Sequence, residues 1–574
     1  MDTRRLGEIL LDRGLISEHD LVAALMLQEQ TGELLGLLLV RMGALAEVDL
    51  LPVVAAQLDL PIQAAGDGPE PGQVAAFLAE LRSPAGWWID RHAAAWRTDD
   101  GAVICAAAHP LDGALRDRLA GVGAPVDYRL ASRAAVAGFL EDVAPNTLPD
   151  GLALRGGGDD VARIREMAQE APVIDFVNGI FSDALARRAS DLHLEPYEDH
   201  FVVRMRIDGL LVTVRQAPRA RFDAVCSRIK LLSAMDIGER RLPQDGRQSI
   251  RVAGRELDLR VSTLPSAWGE SLVLRLLGKS DRLPELAELG LGAEQAGELT
   301  ALVERPNGIV LLTGPTGSGK TTTIYRLLTH LNTGARKIIT VEDPIEFDLP
   351  GVVQMQARPD IGLSFAAGLR AMLRQDPDVI MVGEIRDPQT ARIAVQAALT
   401  GHLVIATAHT NSAVAAVARL TDLGVEAFLL ADVLQGLVGQ RLGRRLCDCA
   451  TPSSPAQVAR YEAARPATLR TLPKKAGWRE PCGCPRCGGS GYLGRVGLFE
   501  IARFDGELSS AVRRHAGEGE IEAVARKAGF ASLAEDGFAK ARAGQTTLAE
   551  VARVLGGDDA LRADVDAPVE TAAG

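Results

Sequence analysis

The chain has 574 residues, with 63 basic and 75 acidic side chains, a formal net charge of −12, 47% apolar and 24% charged residues. At roughly 150 residues per domain this allows about three or four globular domains, and the composition is neither disordered nor fibrous. The acidic balance argues against a general nucleic-acid binder, no apolar run approaches the ~20 residues that cross a bilayer, and the start MDTRRLGEILLDRG, interrupted by Glu8 and Asp12, does not read as a secretory leader.

Residues 1–61 contain a repeat with a shift of 29: Leu6, Gly7, Leu10, Gly14, Leu21 and Gln28 meet Leu35, Gly36, Leu39, Gly43, Leu50 and Gln57. Each copy reads as a short helix, a glycine turn and a second amphipathic helix, with Ser17 and Asp20 as an N-cap signal. Residues 62–145 are mixed, with Trp87, Trp88 and Trp96 as core candidates for a second N-terminal α/β subdomain. Residues 146–168, with Gly156–Gly158 and acidic pairs, read as a linker. In 169–281 the runs HFVVRMRIDGLLVTV and QSIRVAGRELDLRVSTLP alternate apolar and polar residues and predict antiparallel strands, with Arg206, Asp208 and Gly209 supplying a turn.

From residue 282 to about 440 the strand-like runs GIVLLTG, KIITVED, DVIMVGE and LVIATAHT alternate with helical text. That pattern predicts a mostly parallel sheet with helices on both faces. A cysteine-containing insertion at 445–490 lies within a domain placed at 282–505. Helical text fills 506–557, and 558–574 reads as a frayed acidic tail.

Gly314-Pro315-Thr316-Gly317-Ser318-Gly319-Lys320-Thr321 fits the phosphate-loop pattern, follows a strand and opens the helix TTTIYRLLTHL, which includes Thr322. Its glycines let backbone N–H groups face a phosphate chain, and the helix N-terminus adds positive potential. Lys320 is expected to reach the β- and γ-phosphates and Thr321 to hold Mg²⁺. The strand Val379–Val382 runs into Gly383-Glu384, a carboxylate placed to order Mg²⁺ or an attacking water. Glu342, Asp343 and Glu346 form a second acidic cluster in which one member could act as general base. His402 and His409 bracket the strand LVIA and together suggest a γ-phosphate sensor. Five of the seven cysteines fall within 447–487. Zinc takes four tetrahedral thiolate or imidazole ligands, so this cluster is expected to hold a structural Zn²⁺ in a reducing compartment.

These segments, in this order, resemble the secretion ATPase superfamily that drives type II secretion and type IV pilus assembly. The matching marks are GPTGSGKTT, ITVEDPIEF, LRQDPDVIMVGEIRD and TGHLVIATAHTNSA, preceded by SDLHLEPYEDHFVVRMRIDG, SRIKLLSAMDIGERRLPQDGR and GRELDLRVSTLPSAWGESLVLRLL. The resemblance implies an α/β fold, with a RecA-like P-loop NTPase domain preceded by a PAS-like domain with an antiparallel sheet. It implies a homohexamer with ATP and Mg²⁺ between those two domains, Lys320 on phosphate, Glu346 as general base and Glu384 as the Walker B acid. Arg204, Arg206 and Arg228 match positions from which arginines could complete a site.

Cys484-Pro-Arg-Cys487 matches half of the family's zinc site. The other half here is Cys447-Asp-Cys449, one residue shorter than usual, which leaves Cys449 or Cys482 as the fourth ligand. The N-terminal repeat resembles a paired cyclic di-GMP motif, with Arg5, Leu6, Gly7, Leu10, Gly14 and Gln28 in the first copy, Gly36 and Leu39 in the second, and Leu34 where an arginine could have stacked on guanine. The rival reading is a helical bundle that docks a partner. The family's role implies a cytoplasmic motor, peripheral to the inner membrane through platform and docking proteins, for type II secretion or, alternatively, for pilus extension.

Overall fold

The computed structural model describes residues 4–31, 34–63, 67–70, 72–98, 101–140, 143, 171–252, 255–278, 282–466, 468–469 and 477–556; the expected linker 146–168 and tail 558–574 lie outside them. The chain forms two compact units, Met1–Lys279 and Ser280–Gly574. Among the described residues no helix is long and apolar enough to cross a membrane.

In the first unit the repeat folds as two helix pairs, Leu6–Asp12 with Glu18–Thr31 and Leu35–Arg41 with Glu47–Leu58. Leu10, Leu39, Ile9 and Val53 are buried between them. A small sheet follows, from strands β1 (Ala93–Arg97), β2 (Val103–Ala107) and β3 (Val126–Leu130), in that order. Trp88 and Trp96 sit in its core, as their bulk in this stretch predicted, and Trp87 packs at its edge.

The remainder of the unit is a six-stranded antiparallel sheet: β4 (Ala189–Pro196), β5 (His200–Ile207), β6 (Leu210–Pro218), β7 (Gln244–Val252), β8 (Arg255–Ser266) and β9 (Gly269–Gly278), in the order β6-β5-β4-β9-β8-β7. Asp208 and Gly209 have φ of 47° and 90°, which turns β5 directly into β6. Helices Ala171–Ala186 and Phe222–Leu232 cover one face, where Ile180, Phe181, Phe222 and Ile229 meet Leu192, Val203 and Leu274.

The second unit is built on a seven-stranded sheet. Its strands are β10 (Gly308–Thr313), β11 (Ile338–Glu342), β12 (Val353–Gln356), β13 (Val379–Val382), β14 (Leu403–Ala408), β15 (Leu434–Leu446) and β18 (Tyr492–Arg503), ordered β12-β11-β13-β14-β10-β15-β18. All neighbours are parallel except β15 and β18. Every residue of β10, β11, β13 and β14 is buried, which is why they read as unbroken apolar runs. A two-stranded ribbon, β16 (Thr451–Pro452) with β17 (Arg479–Glu480), belongs to the cysteine-bearing insertion.

The thirteen-residue strand β15 is absent from the sequence pattern. Its text, LQGLVGQRLGRRL, carries glycines where strands carry branched residues. The packing supplies the reason: a Cβ on Gly436 would stand 2.5 Å from Leu302, and one on Gly439 would stand 2.4 Å from the Glu500 carboxylate.

Candidate active site

Because β10, β14, β13 and β11 are parallel neighbours, the loops that leave their C-terminal ends share one edge of the sheet. In open α/β sheets that edge is where ligands bind. The phosphate loop leaves β10 there. Gly314, Gly317 and Gly319 take φ of 149°, 79° and 88°, and Gly319 caps the helix Lys320–Leu331. A side chain at Gly314 is excluded twice, since its Cβ would also stand 2.4 Å from the Gln440 carbonyl on β15. Lys320 is buried, and its Nζ donates to the Gly314 and Pro315 carbonyls at 2.7 and 3.0 Å. Burial pulls the amine down to about 8, against the attraction of Glu384. The Ser318 hydroxyl is buried without a hydrogen-bond partner among the described residues. A cradle of N–H groups, a cation and an unsatisfied hydroxyl suits a polyphosphate.

Two strands away, Gly383 lets β13 turn where a Cβ would stand 3.0 Å from the Val341 carbonyl. Thr407 on β14 holds that turn by donating to the Gly383 carbonyl at 2.5 Å. Glu384 follows and pairs with Arg386 Nη2 at 2.7 Å and with His409 Nε2 at 3.1 Å. Burial alone would raise its carboxyl, but the bonds from Arg386 and His409 outweigh it and hold it below the usual carboxylate range. Glu384 is therefore an anion aimed along the phosphate-loop edge, and the loop after β14 supplies His409 beside it.

His402 does not join this group. It precedes β14, and its Nδ1 bonds the Ala397 carbonyl at 2.9 Å and Thr400 Oγ1 at 3.2 Å. Six strand residues at ~3.3 Å each place it ~20 Å from the edge that holds His409. Within one chain the two ends of this strand cannot reach one site, so of the two histidines only His409 stands beside Glu384.

The acidic cluster after β11 also divides. Glu342 is buried, whereas Asp343 and Glu346 are exposed. Glu342 accepts from Tyr325 and, at 2.5 and 3.1 Å, from Thr340 Oγ1 and Gln354 Nε2. Three donors engage Glu342, which leaves Asp343 and Glu346 as the carboxylates of this cluster that face solvent.

Of the arginines from the first unit, Arg204 pairs with Glu195, and Arg206 stands 3.7 Å from Asp191 and donates to the Gly209 carbonyl at 3.2 Å. Arg228 is half-buried and its Nε has no partner among the described residues. One basic residue missed by motif reading is Arg441 on β15. Its guanidinium is buried and donates to the carbonyls of Gln440 and Asn411 at 3.1 and 2.8 Å. Only the pairing of β15 with β10 puts it beside the phosphate loop, and no linear pattern shows that pairing.

The cysteine cluster assembles at the end of β15. One sulfur each from Cys447, Cys449, Cys484 and Cys487 lies within 4.8 Å of the others, while Cys482 is exposed and outside the group. The Cys447–Cys484 and Cys449–Cys487 sulfur pairs are 3.9 Å apart. Four sulfurs at ~2.3 Å around a tetrahedral ion stand ~3.8 Å apart, so the donor set fits zinc. Burial opposes ionisation of Cys487, but the N–H groups of Cys484 and Gly491 draw its thiol down to about 6.

In the N-terminal repeat, Arg5 is exposed at the head of the first helix, and Leu10 and Leu39 are fully buried. A Cβ on Gly7 would stand 2.6 Å from Leu21, and one on Gly36 would stand 3.0 Å from Leu50, so both glycines serve the same helix contact in each copy.

A phosphate loop on the ligand-binding edge of a parallel sheet, faced by an ionised glutamate two strands away, defines a P-loop nucleoside triphosphatase. The profile of the type II/IV secretion system protein family matches residues 166–553. The chain is 42% identical over 577 residues to the type II secretion system protein E of Xanthomonas campestris, covering 96% of this chain and 98% of that one. It is 46% identical over 396 residues to the type II secretion system ATPase E of Vibrio cholerae, covering 68% and 76%. Among solved structures it is similar to the Legionella pneumophila ATPase DotB, at 21% identity and a TM-score of 0.48, covering 66% of this chain and 94% of that one. The chain belongs to the type II/IV secretion system protein family, as a secretion ATPase that hydrolyses ATP.

Proposed function

We propose that the chain is the cytoplasmic homohexameric motor of a type II secretion system. It would turn ATP hydrolysis into pseudopilus assembly through an inner-membrane platform and docking proteins. The observation that carries the catalytic part is the shared edge on which Lys320, His409, Glu384 and Glu346 lie. The loop from Gly314 to Thr322 binds the triphosphate, with Lys320 on the β- and γ-phosphates. Thr321 and Glu384 offer the hard oxygen donors that would hold Mg²⁺, which supplies charge neutralisation on the phosphates. Glu346 orients and deprotonates the attacking water, and His409 fixes the Glu384 carboxylate through its 3.1 Å pair. Chemistry of this kind is mostly positioning and charge stabilisation. Replacing Glu384 by Gln is expected to leave ATP bound and stop turnover; a normal steady-state rate of phosphate release from that variant removes Glu384 from the mechanism.

Type II secretion is favoured over extension of a type IV pilus because the relative matched over nearly its whole length is a type II protein E. The four clustered cysteines would hold a structural Zn²⁺ with no open position, which steadies the insertion. For the N-terminal repeat the exposed Val22, Leu25 and Met26 on the helix Glu18–Thr31 favour a docking partner, with cyclic di-GMP as the competing ligand through Arg5 and Gln28. Calorimetric titration of the intact chain with cyclic di-GMP decides between them: the docking role predicts no heat at high micromolar ligand, and saturable heat lost on Arg5→Ala contradicts it.

A further inference from the structure

Tyr325 lies one and a half turns into the helix that Lys320 begins, and it is buried. Its hydroxyl donates to Glu342 and accepts the Glu346 backbone N–H at 3.1 Å. Glu342, at the end of β11, also orients Gln354 of the neighbouring strand β12, which pairs in register with Thr340 of β11. Gln354 in turn donates to the Phe347 carbonyl at 3.0 Å and accepts the Leu349 N–H at 2.7 Å. One buried carboxylate thus fixes two side chains, and those two side chains grip the loop of Glu346 at three successive points: Glu346, Phe347 and Leu349.

A buried carboxylate costs free energy unless it is well hydrogen-bonded. Here the donors come from three elements: the phosphate-loop helix, β11 and β12. Burial, then the bond to Glu342, pushes the Tyr325 phenol up, so it stays an O–H donor across the working pH range. Tyr325 thus joins the helix that the phosphate loop opens to the backbone of Glu346.

We propose that Tyr325, held by Glu342 and assisted by Gln354, is a positioning residue that sets the place of Glu346 relative to the phosphate loop. This rests on Glu346 being the base that acts on the attacking water. Tyr325 itself touches neither the phosphates nor the water, so its removal should slow the chemical step and leave ATP binding intact.

The test uses the full-length protein, with steady-state phosphate release and an equilibrium ATP affinity for each variant. Tyr325→Phe keeps the ring and deletes the hydroxyl. It is expected to lower kcat by ~10- to 100-fold, the scale at which small misplacements of a reacting group act, with KM and ATP affinity unchanged. Gln354→Met should show the same split, and it stands in should Tyr325→Phe fail to fold. Residues that act as one unit are not additive, so Glu346→Gln combined with Tyr325→Phe should be no slower than Glu346→Gln alone. A folded Tyr325→Phe with normal kcat beside an inactive Glu346→Gln overturns the positioning role alone. A multiplicative loss in the double variant, or weakened ATP binding in Tyr325→Phe, does the same. A Glu346→Gln protein of normal rate overturns the assignment of the base, and the positioning role with it.

Discussion

Lys320 is only 8% exposed, yet it must carry a charge to hold a phosphate chain. Burial brings its amine down to about 8. A neighbouring triphosphate favours the ammonium and raises that value, so binding takes up a proton at pH values above about 8. ATP affinity should therefore be flat with respect to this group below that pH and fall above it, approaching ~10-fold per pH unit. Affinities measured from about pH 7 to about pH 9.5 check this, and a constant value across that range contradicts it. At this scale the sequence is informative wherever a function is contiguous. The phosphate loop is one run of nine residues, from Gly314 to Thr322, so its motif is readable without the fold, whereas Gln440 and Arg441, which lie against it, are not. The roles of Glu342 and Glu346 are different. Their division is set by Tyr325, Thr340 and Gln354, which come from three separate elements. His402 and His409 are divided in the same way, because the strand Leu403–Ala408 between them holds them at opposite edges of the sheet.

Among the elements, β15 connects the most chemistry. Gln440 and Arg441 sit against the phosphate loop near its middle, and its end runs into Cys447 and Cys449. The Thr323 hydroxyl donates to Gln440 Oε1 at 3.0 Å, so the strand also braces the phosphate-loop helix. The cysteine insertion is tied to the C-terminal helices by Leu446 N–H to the Gln545 carbonyl at 2.9 Å and Gly477 N–H to the Arg542 carbonyl at 2.7 Å. Metal bound by four thiolates contributes folding free energy to such a small subdomain. The purified protein should contain one zinc per chain by elemental analysis, and Cys484→Ser should lose it and open the insertion to protease. Full zinc content in that variant contradicts the four-cysteine site. The buried parallel strands were legible because burial on both faces writes an unbroken apolar run. β15 was not, because its glycines answer to Leu302 and Glu500, which are distant in sequence.

For the molecule as a whole, the change in texture along the chain was the most dependable signal. Alternating text became the six-stranded antiparallel sheet, and apolar runs separated by helical text became the mostly parallel one. The helical repeat was legible because its two copies use the same contacts, Gly7 with Leu21 and Gly36 with Leu50. The order of strands in the larger sheet was not, since pairing between β10 and β15 joins residues more than a hundred positions apart. Yet that order is what turns four separate motifs into one edge with one chemistry. The most direct test is release of inorganic phosphate from Mg-ATP by the full-length protein and by its Lys320→Ala variant. The wild-type chain should release phosphate steadily and Lys320→Ala should match the protein-free background; equal rates from the two proteins, or none from the wild type, would contradict the site described.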